Sequence, residues 1–120
     1  HHGGERMNIT FTPEPIPELI LAGNTLATLG FTCGTPLQLT LQNHTLWITL
    51  VTDEALWESL CEASQHRPDL GADWVRENGE LVIAGDWLTE SGITDAEQLE
   101  VTAAPGVIRL QRREVGGFWA

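Results

Sequence analysis

Apolar Leu37, Leu39 and Leu41 alternate with polar Gln38, Thr40 and Gln42, the period of a strand with one buried face. Asn43-His44 interrupts with turn chemistry, and Leu46, Ile48 and Leu50 resume the alternation, so the stretch predicts a β-hairpin. The same pattern returns at Leu99, Val101 and Ala103, turns at Pro105-Gly106 and runs back through Ile108 and Leu110. Ahead of each hairpin lies a short apolar strand ending at Gly23 or Gly85. A helical turn or two then presents one inward leucine, Leu26 or Leu88, before Gly30 or Gly92 stops it. The unit is strand, short helix, β-hairpin, and it occurs twice.

The two occurrences are copies. Displaced by 62 residues, Leu19-Ile20-Leu21-Ala22-Gly23 falls on Leu81-Val82-Ile83-Ala84-Gly85, Leu26 on Leu88 and Gly30 on Gly92. The match continues through Phe31-Thr32 over Ile93-Thr94, Leu37 over Leu99, Thr40 over Thr102, Leu46 over Ile108 and Ile48 over Leu110. A constant offset without a gap points to duplication. A unit of about 40 residues buries too little surface to be stable alone, so the halves are expected to share a core.

Between the copies, residues 53–65 have helical spacing. Leu56, Trp57, Leu60 and Cys61 form one face, Asp53 is placed to cap the start, and Arg67-Pro68-Asp69-Leu70-Gly71 ends the helix. Glu54, Glu58 and Glu62 make an acidic stripe on another face, either the solvated side of a connector or a contact for a basic partner. The run Pro13-Glu14-Pro15-Ile16-Pro17 predicts an extended arm leading into the first strand. The expected organisation is therefore a first unit at 7–52, a connector at 53–72 and a second unit at 73–120. Residues 1–6, beginning His1-His2-Gly3-Gly4, look like the remnant of an expression tag.

Charge narrows the function. Seventeen acidic residues face six arginines and no lysine, a net charge of −11. Such a field repels a polyanion, so nucleic-acid binding is disfavoured and basic proteins, cations or a second copy are favoured. Cys33 and Cys61 fit no metal or disulfide pattern and are expected to be buried, reduced thiols. No run reaches the roughly 18 apolar residues needed to cross a bilayer, and a cytoplasmic protein without membrane contact is expected. His44 at a hairpin tip and His66 after the connector helix have no catalytic partner evident in the sequence. Neither a phosphate loop nor a nucleophile elbow is present, so no catalytic residue, metal or cofactor is assigned. Arg109, Arg112 and Arg113 form the only basic cluster. Trp57, Trp74, Trp87 and Trp119 fall outside the clear strand positions, as buried side chains or as parts of a contact surface.

Gly85-Asp86-Trp87-Leu88-Thr89-Glu90-Ser91-Gly92-Ile93 resembles the G-x-W-L-x-x-A-G-F signature of SymE-like proteins. Gly30-Phe31-Thr32-Cys33-Gly34-Thr35-Pro36 resembles the G-F-x-x-G segment that follows it. The resemblance implies an α+β, mainly β fold of the AbrB swapped-hairpin type. Two tandem βαββ units would interlock as an intramolecular pseudo-dimer barrel, joined by the amphipathic connector helix, giving a pseudo-twofold monomer or a further homodimer. It also implies an RNA-cleaving toxin, or a DNA-binding regulator that reads the duplex with arginines such as Arg109, Arg112 and Arg113. The residues favour a third use of the fold: an acidic, non-enzymatic antitoxin or immunity module that covers a basic toxin. The expected contacts are Glu54, Glu58, Glu62, Trp57, Trp87 and Glu90.

Overall fold

The computed structural model describes residues 7–93 and 96–113. The first copy contains β1 (Asn8–Thr12), β2 (Glu18–Ala22), α1 (Asn24–Thr28), β3 (Pro36–Gln42) and β4 (Thr45–Leu50). After α2 (Glu54–Ser64), the second contains β5 (Leu70–Trp74), β6 (Leu81–Ala84), α3 (Asp86–Thr89), a 3-10 turn (Ala96–Gln98), β7 (Leu99–Ala104) and β8 (Val107–Arg112). The fold is mainly β with small helices. Its strands form two antiparallel sheets, ordered β1-β2-β6 and β5-β3-β4-β8-β7.

Both sheets mix the two copies, and their registers are symmetric. In the smaller sheet Ile20 pairs with Val82, its own counterpart at the 62-residue offset. In the larger sheet Trp47 pairs with its counterpart Arg109. Around each pair the register runs outward in reciprocal fashion: Leu46 faces Leu110 while Ile48 faces Ile108. The two junctions thus join the copies in the same reciprocal way. A single core follows, with Leu19, Leu21, Leu26, Phe31, Leu37 and Ile48 of the first copy buried in one cluster with Leu81, Ile83, Leu88, Ile93, Leu99 and Leu110 of the second.

The helix ends are built alike. The amide of Phe31 donates to Leu26 O and that of Gly30 to Ala27 O. Ile93 to Leu88 and Gly92 to Thr89 repeat this Schellman pattern, which needs the positive φ of Gly30 (101°) and Gly92 (78°). Each hairpin tip then reaches the helix end of the other copy. The Gly106 amide donates to Leu29 O at 2.9 Å. On the opposite side the His44 ring, Nδ1 to oxygen 3.2 Å, donates to Glu90 O.

Several expectations change. Each copy is one strand longer than strand, helix, hairpin: β1 precedes the proline run, which is the connection to β2 rather than an arm. At the 62-residue offset β5 is the counterpart of β1, so Trp74 is a strand residue and the expected connector end at residue 72 falls inside β5. The counterparts choose different partners, β1 pairing with β2 of its own copy and β5 with β3 of the other. Cys33 and Cys61 are free thiols as expected, but Cys33 is exposed and Cys61 half-buried, because Cys33 lies in the loop after α1 rather than on an inward strand position.

Asp53 caps α2 by accepting from Ala55 N (2.7 Å) and Leu56 N (3.4 Å). The helix packs on β5, and Leu56, Ser59, Leu60 and Ala63 line the junction with Gln38, Leu50, Val51 and Leu70. The expected face is therefore the one turned inward, with Leu56 alone left at its open margin. Leu60 is buried, Trp57 and Cys61 are half-buried, and Leu56 stays 61% exposed.

Candidate functional site

With Trp57, Leu60 and Cys61 turned inward, the acidic stripe of α2 faces outward. Glu54, Glu58 and Glu62 are all exposed, and the only partner that any of them has among the described residues is His66, 3.3 Å from Glu62. Two of the scarce arginines are engaged elsewhere. Arg67 holds Asp69 at 2.7 Å, and Arg76 holds Asp73 at 2.8 Å while lying 5.1 Å from the Trp74 ring centroid. The hydrogen bond from Arg67 holds the Asp69 carboxyl below its usual range, and the same bond raises the Arg67 guanidinium.

A second acidic place lies on the second copy. Gly85 and Gly92 bracket α3, Leu88 points into the core, and Asp86, Trp87 and Glu90 are left to its outer side. The Trp87 ring seats against β5 at Gly71, where a Cβ would stand only 2.5 Å from Cζ2 of the indole. Ser91, 2% exposed, donates to Trp87 O at 2.8 Å and braces the turn beneath. Leu41, Pro68, Asp69, Asp86, Trp87 and Glu90 together line a notch of about 660 Å3. Three of these side chains are apolar or aromatic and three are carboxylates, of which only Asp69 has an arginine partner among the described residues.

The expected contacts thus fall into two groups: Glu54, Glu58 and Glu62 with half-buried Trp57 on α2, and Trp87 with Glu90 on the notch. Trp119 lies outside the described residues. Sequence reasoning missed Asp86, Leu41, Pro68, Asp69 and Gly71 as surroundings of Trp87. The Asp86-to-Glu90 spacing, one helical turn on the same side, was the readable signal. The rest come from other strands and loops.

Arg109, Arg112 and Arg113 do not converge. Arg109 sits over the Trp47 ring, 5.6 Å from its centroid, and donates to Thr102 Oγ1 at 3.4 Å. Arg112 lies against Gly92, in a cavity of about 610 Å3 that also meets His44 and Glu90. Arg113 donates to Leu99 O and lines a separate groove of about 350 Å3 between β1 and β7. Alternation along β8 sends Arg109 and Arg112 to opposite faces, and Arg113 lies just beyond the strand. Among the described residues no group of histidine, cysteine and carboxylate side chains is arranged to hold a metal, and no helix is long and apolar enough to cross a membrane. No known protein family, curated protein or solved structure matches the chain.

Proposed function

We propose that this chain is a non-enzymatic protein-binding module that takes a basic partner, built as a tandem swapped-hairpin fold of the AbrB type. The fold reading is supported by strand pairs centred on Ile20/Val82 and Trp47/Arg109 and by hairpin tips that reach across to the other copy's helix. With both copies in one chain the unit is a monomer with an internal pseudo-twofold axis.

The observation that carries the function is the outward acidic stripe of α2, which has no basic side chain of this protein to neutralise Glu54 or Glu58 among the described residues. Repulsion between like charges at i and i+4 costs a helix a few tenths of a kcal/mol per pair, about 0.2–0.5, and a basic surface removes that cost on docking. A toxin whose nucleic-acid-binding surface is basic is the partner class that fits. The module acts in the cytoplasm as an antitoxin or immunity protein, with charge complementarity speeding encounter and apolar contacts setting the lifetime.

The test is capture from native lysate at low and moderate salt, with wild-type bait beside the triple variant Glu54→Arg, Glu58→Arg, Glu62→Arg. A stoichiometric basic protein held by the wild type and released by the variant is the expected result. RNA enriched without a protein partner, or growth arrest on expressing this chain alone, would overturn the reading in favour of an RNA-directed toxin.

A further inference from the structure

The two copies fold the same short helix with different outer residues. Where α3 has Asp86, Trp87 and Glu90, α1 has Asn24, Thr25 and Thr28. Where β5 has Gly71, β1 has Ile9. The inward leucines, bracketing glycines and helix-end hydrogen bonds are shared, so the scaffold has no need of the two carboxylates or the indole. The large and small residues have also traded places. Trp87 stands over a glycine that cannot carry a Cβ without displacing the ring, whereas Thr25 corresponds to Trp87 and Ile9 to that glycine. The second copy has therefore been shaped around a fixed aromatic side chain at an open notch, and only this copy places carboxylates beside it.

We infer that the Trp87 notch is the receptor for one arginine side chain of the partner protein. The guanidinium stacks on the indole, its alkyl stem lies along Leu41 and Pro68, and Asp86 and Glu90 accept its hydrogen bonds. The carboxylates of the notch are not grouped to hold a metal ion, and a single aromatic wall does not make the cage that quaternary ammonium groups require. A planar, delocalised cation that both stacks and forms forked hydrogen bonds matches this pairing better than the strongly hydrated ammonium of lysine. Asp69 completes the rim but is already held by Arg67, leaving Asp86 and Glu90 as the charges available to the ligand. This assignment rests on the basic-partner reading and gives it a point of attachment separate from α2.

The test needs no partner. The full chain, 15N-labelled, is titrated at low ionic strength with the tripeptide Gly-Arg-Gly, and in parallel with Gly-Lys-Gly and with the neutral isostere Gly-citrulline-Gly. The expected result is a saturable shift of the Trp87 indole N–H and of the Asp86 and Glu90 amides with the arginine peptide, weaker by at least about fivefold with the other two, from one stacking and two exposed ionic contacts. Asp86→Asn with Glu90→Thr, which gives α3 the neutral residues α1 already carries, is expected to weaken the arginine response by a similar factor while leaving the rest of the spectrum in place. Glu54→Gln, Glu58→Gln, Glu62→Gln, with more negative charge removed but far along the chain, is expected to preserve it. Equal responses to arginine and citrulline, an unchanged response in the Asp86/Glu90 variant, or equal loss in the α2 variant would each overturn the assignment. If the notch fails while lysate capture still depends on α2, only this inference falls; if capture fails too, the basic-partner reading falls with it.

Discussion

The two counterpart strands β1 and β5 begin from the same place in the repeat and end in different sheets. β1, followed by the proline run, folds back on β2, whereas β5 crosses to β3 of the other copy. The difference shows how a duplicated scaffold diverges. Buried positions keep leucine and isoleucine because the shared core admits little change in volume, while residues at the sheet margins and on the outer helix turn are released from that constraint. The second copy, with Gly71 on β5 and Trp87 above it, has used this freedom to build a notch. The first has kept neutral side chains at the matching positions.

The comparison breaks most severely in the core. Leu26→Ala and Leu88→Ala remove counterpart side chains that are almost fully buried, and each is expected to cost about 2–5 kcal/mol in urea unfolding. Similar values would show that the halves are energetically equivalent, and one cooperative transition in both variants would show that they unfold together. Next in size, Gly71→Ala is expected to cost about 1–3 kcal/mol because the indole must move. In a Trp87→Thr background, which imitates the first copy, most of that cost should vanish. A double-mutant cycle measures the coupling directly.

At the helix ends, Gly30→Ala and Gly92→Ala each force a side chain into a positive φ, at about 1–2 kcal/mol. The Gly30 variant should be the worse, because its Cβ would lie 2.9 Å from Leu50 Cδ1 whereas at Gly92 the nearest atom is 3.4 Å away on flexible Arg112. The smallest effect concerns the notch rim. Asp69 is held below its ordinary carboxylate range in the folded protein, so its contribution is present above the unfolded-state value and is lost as pH falls through the lower folded value. The pair is exposed to solvent, so Asp69→Asn should change the acid limb of a stability–pH profile only slightly, and less still in high salt.

The hairpins and the duplication were legible because alternation, turn residues and a constant offset are local signals. Leu37, Leu39, Leu46, Ile48 and their counterparts face inward as their period requires, and Asp53 caps α2 as its position before an apolar stripe predicts. β5 was not legible. Leu-Gly-Ala-Asp-Trp has weak strand character, and its conformation is imposed by β3 alongside and α2 above. The inward face of α2 was legible at Trp57, Leu60 and Cys61, but the exposure of Leu56 was not, since it depends on how far β5 extends beneath the helix. For the notch, Trp87 and Glu90 were visible as individual residues, but Leu41, Pro68 and Gly71 join them only through tertiary pairing.

The pairing of β4 with β8 also bears on the order of events during synthesis. The β3–β4 hairpin closes locally and soon, but its outer strand must wait for β8, more than half the chain later, to supply its neighbour. During that interval the nascent first half presents an unpaired edge of Thr45, Trp47 and Thr49 flanked by apolar residues, the kind of edge that another chain can pair with. Two ribosomes on one message could thus join first halves in trans before either second half emerges. The second half, carried on the same chain at high effective concentration, competes with that pairing.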